Sequence, residues 1–157
     1  MSTTVIKGIR LTLSGPTILQ LSVVRRGSPD YNAEATFFTV SLKNESDGPK
    51  TLPFDELRRN VALKYRNPVT ASEILDNRTP PPKLDGSVQK LLPGKTEKFE
   101  VVFDYPAAIA PMKDGVAVLW FCVNWKSDWL RKSAYVDGAY DWNESFELCR
   151  EVRIKDK

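Results

Sequence analysis

The feature that most constrains the fold is an apolar run at Val116–Trp125, VAVLWFCVNW, in which Asn124 is the only polar residue. The run is too short to cross a membrane as a helix, which needs about 20 apolar residues. It is also too uniformly apolar for an element with one face in water. We therefore expect a strand that is buried on both faces, with the other strands packed around it.

Several other segments alternate apolar and polar residues, which is typical of strands with one wet face. Alternation is found at residues 9–13, 17–25, 35–43, 61–66, 98–105 and 146–154. The tripeptide Ser14-Gly15-Pro16 is expected to turn the chain between the first two of these strands, which would then form a hairpin.

Two segments do not alternate. The pattern at residues 52–60 is ambiguous, but Phe54, Leu57 and Val61 lie at helical spacing after a proline, which is compatible with a short helical turn. Residues 67–87 have no clear period and include three consecutive prolines at 80–82, which cannot join a sheet ladder. We expect a long Pro-rich loop there, with one helical turn at residues 72–76.

About eight strands separated by turns, with little helix, predict an all-β fold. The expected architecture is a two-sheet antiparallel immunoglobulin-like β-sandwich with one long Pro-rich loop. The length of 157 residues suits a single domain, residues 1–157. Residues 38–46 (FTVSLKNES) and 92–101 (LPGKTEKFEV) resemble immunoglobulin-like or fibronectin-III-like accessory domains, including intracellular proteinase-inhibitor modules. This resemblance implies the fold and transfers no functional residue.

Histidine is absent from the sequence, and this excludes several chemistries. There is no Ser-His-Asp or Cys-His couple and no imidazole ligand for a metal. The two cysteines are too few for a zinc site built from cysteine alone. The acidic residues near the C-terminus do not have the spacing of a calcium-binding loop. We expect no enzyme activity, no cofactor and no metal.

Cys122 and Cys149 leave two alternatives open: they pair if their strands are neighbours, and they stay thiols in the cytosol. Lys7 and Arg10 interrupt the N-terminal segment, so it lacks the apolar region of a signal peptide. We expect a cytoplasmic protein, or a secreted one if a signal peptide preceded this sequence. The net charge is +3, and acidic residues are interspersed among the basic ones. The sequence therefore does not predict the basic patch of a nucleic-acid-binding protein.

An aromatic cluster near the C-terminus is the strongest candidate for a binding site. The predicted ligand-binding residues are Trp129, Tyr135, Tyr140 and Trp142. Residues 133–142 are expected to form a hairpin with Asp137-Gly138 in a type I′ turn. Aromatic rings stack on sugars and lie at lipid headgroups because they combine a flat apolar face with a polar edge.

This composition resembles the membrane-facing segment of actinoporin-like lectins and pore formers, although the N-terminus lacks their amphipathic helix. The resemblance implies a module that binds carbohydrate or lipid headgroups. The competing interpretation is that Trp125 and Tyr140 are packing residues of the core and the hairpin.

Our first functional hypothesis is a non-catalytic protein–protein interaction module, because no catalytic spacing is present and the fold presents long loops. The expected binding surfaces are strand edges and the loops at residues 67–87 and 126–142. Self-association through an uncovered edge strand is compatible with this hypothesis. The alternative is the carbohydrate- or headgroup-binding module, and an enzyme would require two carboxylates converging in a pocket.

Overall fold

Strands account for most of the regular structure in the computed structural model, which describes residues 2–23, 31–66, 73–75, 89–104, 116–130 and 140–155. The strands are β1 (Ser2–Ile6), β2 (Ile9–Val23), β3 (Tyr31–Asn44), β4 (Lys50–Leu52), β5 (Ala62–Arg66), β6 (Glu73–Leu75), β7 (Gln89–Leu91), β8 (Thr96–Asp104), β9 (Val116–Trp125) and β10 (Phe146–Lys155). One α-helix, α1 (Phe54–Asn60), and one 3-10 helix (Ser127–Trp129) complete the described elements. None of the helices in these ranges has the length and apolar character needed to cross a membrane.

The first sheet has the strand order β1-β2-β3-β8, and each neighbouring pair is antiparallel. β1 and β2 form a hairpin across Lys7 and Gly8, whose φ angles are 45° and 83°. A type I′ turn requires positive φ at both central residues, and glycine adopts it without steric cost. β2 then pairs with β3 from Ile9–Asn44 to Val23–Tyr31.

The second sheet has the order β10-β9-β5-β6 and is also antiparallel. β9 is the apolar run identified in the sequence. It pairs with β10 along its whole length and with β5 on its other edge. β4 and β7 form a separate two-stranded sheet. The prediction of a mostly β fold with antiparallel sheets is therefore confirmed.

The apolar faces of the two four-stranded sheets share one core. Phe38 of β3 contacts Phe121 of β9 across the core, with ring centroids 5.7 Å apart, and Phe103 of β8 at 6.2 Å. The other strand residues of the core are Ile9, Leu11, Leu13, Val40, Leu42, Leu52, Leu63, Leu91, Phe99, Val101, Val123, Trp125, Phe146 and Leu148. Alternation in the sequence predicted the inward residues of β3 and β8.

The short helix α1 is where the sequence predicted a helical turn. Phe54 and Leu57 are buried in the core, and the backbone N–H of Val61 donates to Leu57 O at 3.2 Å where the helix ends. Acidic residues occupy the first turn and basic residues the last, which complements the helix dipole.

The prediction of a turn at Ser14-Gly15-Pro16 is wrong, because β2 runs through this segment and pairs with β3 on both sides of it. The register shifts between Ser14 and Thr17, so the segment is an irregularity of the β-bulge type. Gly15 has a φ of 111°, and a Cβ at this position would lie 2.9 Å from Phe37 O. Glycine and proline favour bulges as well as turns, so residue type alone does not separate the two.

Four short strands also differ from the prediction. Residues 72–76 were expected to form a helical turn, but β6 is an extended strand paired with β5. β1, β4 and β7 have no counterpart among the predicted strands. Apart from β6, the expected Pro-rich loop at residues 67–87 lies outside the described residues.

Candidate functional site

The second sheet presents a partly polar surface on the side opposite the core. Because side chains alternate along a strand and Phe121, Val123 and Trp125 of β9 lie in the core, the intervening side chains project from the other side. We call this side the outer face. Its cross-strand rows are Ala62–Asn124–Glu147, Lys64–Cys122–Cys149 and the pair Trp120–Glu151.

A cleft of about 550 Å³ lies at the end of the outer face that carries Asn124. Its lining residues are Ala62, Lys64, Asn124, Trp125, Lys126, Trp129, Ser145, Phe146 and Glu147. The 3-10 helix positions Trp129, because the Ser127 N–H donates to Ser145 Oγ at 2.9 Å and the Trp129 N–H donates to Lys126 O at 2.9 Å. Trp129 is half-buried and packs edge-on against Trp125, with ring centroids 6.1 Å apart.

The cleft combines aromatic rings with groups that form hydrogen bonds. Lys64 and Lys126 are exposed and positive, whereas Glu147 is exposed and negative. The Trp125 side chain is fully buried, and its Nε1–H has no acceptor among the described residues. A buried N–H without an acceptor costs about 1–3 kcal/mol, and native proteins rarely leave one. The cleft itself combines the Trp129 ring with three charged side chains, which suits a ligand that presents polar groups beside an apolar surface.

Glu147 is the only carboxylate among the described residues that line the cleft. Glycoside hydrolysis by two carboxylates needs a second group about 5–10 Å away.

Trp120 is the most exposed aromatic side chain described on the outer face, with 44% of its surface accessible. Cys122 and Asn124 on the same strand are 8% and 7% exposed. The prediction that β9 is buried on both faces thus holds for Cys122 and Asn124 and is wrong for Trp120. No described element covers the outer face at Trp120, whereas Asn124 lies beside the 3-10 helix that carries Trp129.

Cys122 and Cys149 form a disulfide between directly opposed residues of β9 and β10. Of the two alternatives that the sequence left open, the structure shows the pair. Glu147 lies next to it on the outer face, with Oε1 3.6 Å from Cys149 Sγ. In this form the sulfur atoms are bonded to each other and are not free to bind a metal.

Trp142, one of the four predicted ligand-binding residues, is a core residue with 1% of its surface exposed. Its indole Nε1–H donates to Ile6 O at 3.0 Å, and its backbone N–H donates to Thr51 O at 3.3 Å. Trp142 therefore joins the end of β1 to β4 and has no exposed ring face on which a ligand could stack.

Tyr140 is half-buried and lies within electrostatic reach of α1. Burial raises the pKa of its phenol, and the negative charges of Glu56 and Asp55 raise it further. Tyr135 and the turn of the predicted hairpin lie outside the described residues. Of the predicted set, Trp129 is the described residue that lines the cleft.

Lys64, Asn124 and Glu147 line the cleft but were not among the predicted site residues. Alternation in the sequence places Lys64 and Glu147 on the polar faces of their strands. It does not show that they lie near each other, because that depends on the register of β5 and β10 on β9.

No protein-family model matches the chain, and no curated protein matches it. It is similar to the crystal structure of a functionally unknown protein from Listeria monocytogenes EGD-e, with a TM-score of 0.50 and 15% identity over 96% of this chain and 80% of that one. An X-ray structure from the Northeast Structural Genomics Consortium matches with a TM-score of 0.36 and 9% identity, over 95% and 87% of the two chains. At these identities the first likeness concerns the fold alone, and the second is too low to indicate a common fold.

Proposed function

We propose that the chain is a non-catalytic protein–protein interaction module, built as a single immunoglobulin-like β-sandwich, and that the outer face is its binding surface. The observation that supports this most strongly is that an exposed Trp120 shares a face with the cleft at Trp129. Trp120 and Asn124 are four positions apart on β9, or about 13 Å. The indoles of Trp120 and Trp129 therefore belong to one surface.

The exposed tryptophan of this face is of a residue type that is enriched at protein interfaces. Tryptophan is enriched at the positions where truncation costs the most binding energy, and such positions are surrounded by polar residues. Around Trp120 and the cleft, the outer face carries Lys64, Glu147 and Glu151, all exposed. A partner of mixed charge with an apolar centre would complement this arrangement.

The strand edges predicted as binding surfaces are less suited to this role. β8 ends the first sheet, and its exposed residues Glu97, Lys98 and Glu100 are charged, which discourages pairing with another strand. At the opposite edge, β1 lies beside β10, and the Ser2 hydroxyl donates to Cys149 O. The loops at residues 67–87 and 126–142 lie largely outside the described residues, and their role stays a prediction.

The test is a comparison of photo-crosslinking from two exposed positions. A crosslinking amino acid is introduced at position 120 in one variant and at position 92 in another, because Leu92 is 53% exposed on a turn next to β8. We expect a protein from the source organism to crosslink at position 120 and not at position 92. The same proteins at both positions, or none at position 120, would contradict the proposal.

The affinity of the identified partner is then measured by calorimetry. Trp120→Ala should raise its Kd by about tenfold or more, as at other interface tryptophans. Leu92→Ala is the matched control and should leave the Kd unchanged. Equal Kd values for the two variants would exclude the outer face as the interface.

A second candidate function is carbohydrate binding in the cleft, and one observation favours it. Trp129 lines the cleft and would stack on a sugar, and the ammonium groups of Lys64 and Lys126 in the same lining would donate hydrogen bonds to its hydroxyl groups. Titration with a glycan panel, followed by Trp fluorescence, should then change the emission of the wild-type protein, and Lys126→Gln should weaken binding. A response to phospholipid vesicles alone would identify a headgroup instead, and no response to either would exclude this candidate.

A further inference from the structure

We propose that Cys122, Cys149 and Glu147 form a zinc-binding site when the disulfide is reduced. The donor atoms of the three side chains all lie within 4.8 Å of one another in the oxidised protein. Cysteine thiolates and carboxylate oxygens both bind zinc in proteins, and sulfur ligands favour Zn²⁺ over Ca²⁺ or Mg²⁺.

The strands that carry these residues are held by backbone pairing as well as by the disulfide. β9 and β10 stay paired from Phe146–Trp125 at one end to Lys155–Val116 at the other, and β5 holds the second edge of β9. The two thiols therefore remain opposite each other after reduction. Two sulfurs bound to one tetrahedral zinc are about 3.8 Å apart, given a Zn–S length of about 2.3 Å. Side-chain rotation alone provides this separation between directly opposed strand residues.

The charges around the site also suit a zinc complex. Zn²⁺ bound by two thiolates and one carboxylate carries a net negative charge of one unit. Lys64 lies in the same cross-strand row as the two cysteines and is exposed on the outer face. Its ammonium group would balance that charge. Glu147 is shared with the cleft, so the fourth zinc position would face solvent or the cleft.

The chemistry consists of two balanced steps. A low-molecular-weight thiol or dithiol reductant donates two electrons and two protons, the S–S bond of the protein breaks, and the reductant becomes a disulfide. Zn²⁺ then binds, forming two Zn–S bonds and one Zn–O bond while the two thiol protons pass to solvent. The zinc does not change its oxidation state, and the protein binds zinc only in the reduced form.

The test measures zinc bound by the full chain in its two redox states. Oxidised and reduced protein are dialysed separately against Zn²⁺, and bound metal is measured by mass spectrometry. We expect about one zinc ion per reduced chain and none per oxidised chain. Absence of zinc from the reduced protein would overturn the proposal. Loss of the far-UV circular dichroism of the strands on reduction would also overturn it, because the site requires the β9–β10 pair.

Two variants separate this site from adventitious binding. Glu147→Gln should weaken zinc binding about tenfold or more, since loss of even an outer-sphere partner commonly costs that much. Glu151→Gln is the matched control, because Glu151 is exposed on the same strand and the same face. Equal zinc affinity in the two variants would exclude Glu147 as a ligand. Replacement of Zn²⁺ by Co²⁺ should give the reduced wild type a thiolate charge-transfer band, and Cys149→Ser should weaken that band.

Discussion

Asn44 is a buried polar side chain whose amide connects three parts of the fold. It is 0% exposed, and its Nδ2 donates to Gly48 O at 2.9 Å and to Leu91 O at 2.8 Å. Its Oδ1 accepts the backbone N–H of Ser46 at 2.9 Å, which forms an Asx turn. The side chain therefore fixes the turn after β3 and ties it to β7.

We expect Asn44→Ala to lower the free energy of unfolding by about 3 kcal/mol, because it leaves buried carbonyl groups without donors. Urea unfolding of the variant measures this change. Asn143→Ala is the control, since Asn143 is half-buried and forms no hydrogen bond to another described residue; its effect should stay within about 0.5 kcal/mol. Equal losses in the two variants would contradict the role assigned to Asn44.

Glu45 and Arg10 form an exposed ion pair, with Arg10 Nε 2.5 Å and Nη2 3.3 Å from the two carboxylate oxygens. The hydrogen bond from Arg10 is the main cause that lowers the pKa of Glu45 below its ordinary value of 4.5. Since the pKa is lower in the folded chain than in the unfolded chain, the contribution of Glu45 to stability is present above pH 4.5. It is lost as the pH falls through the folded-state pKa.

An NMR titration of the Glu45 carboxyl carbon tests this assignment. Arg10→Gln should raise the pKa of Glu45 towards 4.5, whereas Lys43→Gln should raise it much less, because the charge of Lys43 has the smallest effect. A Glu45 pKa that does not change in Arg10→Gln would show that the pair does not form in solution.

At the scale of single elements, Gly15 lies in the segment between Ser14 and Thr17 where the pairing of β2 with β3 is irregular. Its φ of 111° is strained for residues with a side chain, and a Cβ would meet Phe37 O at 2.9 Å. We expect Gly15→Ala to lower the free energy of unfolding by about 1–3 kcal/mol, measured by urea unfolding. Gly48→Ala is the matched control, since nothing lies within 4 Å of a Cβ there. Equal midpoints for the two variants would count against the strain.

The elements that the sequence predicted well are those with one face in the core and one in water. β3 and β8 alternate strictly, so Phe38 and Phe103 could be placed in the core without knowing their neighbours. β1 could not be recognised in this way, because its half-buried residues include Ser2 and Thr4 as well as Ile6. Its place depends on the hairpin turn and on the contact with β10.

The candidate site was only partly predictable for a related reason. Trp129 was identified from its residue type, and it does line the cleft. Trp142 has the same residue type and lies in the core, and the difference arises from the fold around each ring. Lys64 and Glu147 also line the cleft. They are carried by β5 and β10, and the register of these strands on β9 places one residue on each side of it.

At the scale of the whole molecule, the disulfide joins two strands of one sheet across a sequence separation of 27 residues. A cross-link of this loop length stabilises a fold by about 3 kcal/mol, mainly by restricting the unfolded chain. Reduction should therefore lower the urea midpoint in metal-free buffer. The Cys122→Ser/Cys149→Ser double variant is the control and should not respond to the reductant. Equal midpoints for oxidised and reduced wild type would contradict this expectation.

The same cross-link has a mechanical consequence. When the two chain ends are pulled apart, the residues between Cys122 and Cys149 carry no tension, because the disulfide transmits the force across a separation of 27 positions. The extended length released on unfolding is then shorter by roughly 90 Å than in the reduced chain. Force can therefore separate β9 from β10 only as far as the cross-link. The residue pairs of β9 and β10 that lie inside the disulfide loop stay paired while the remaining strands are extended.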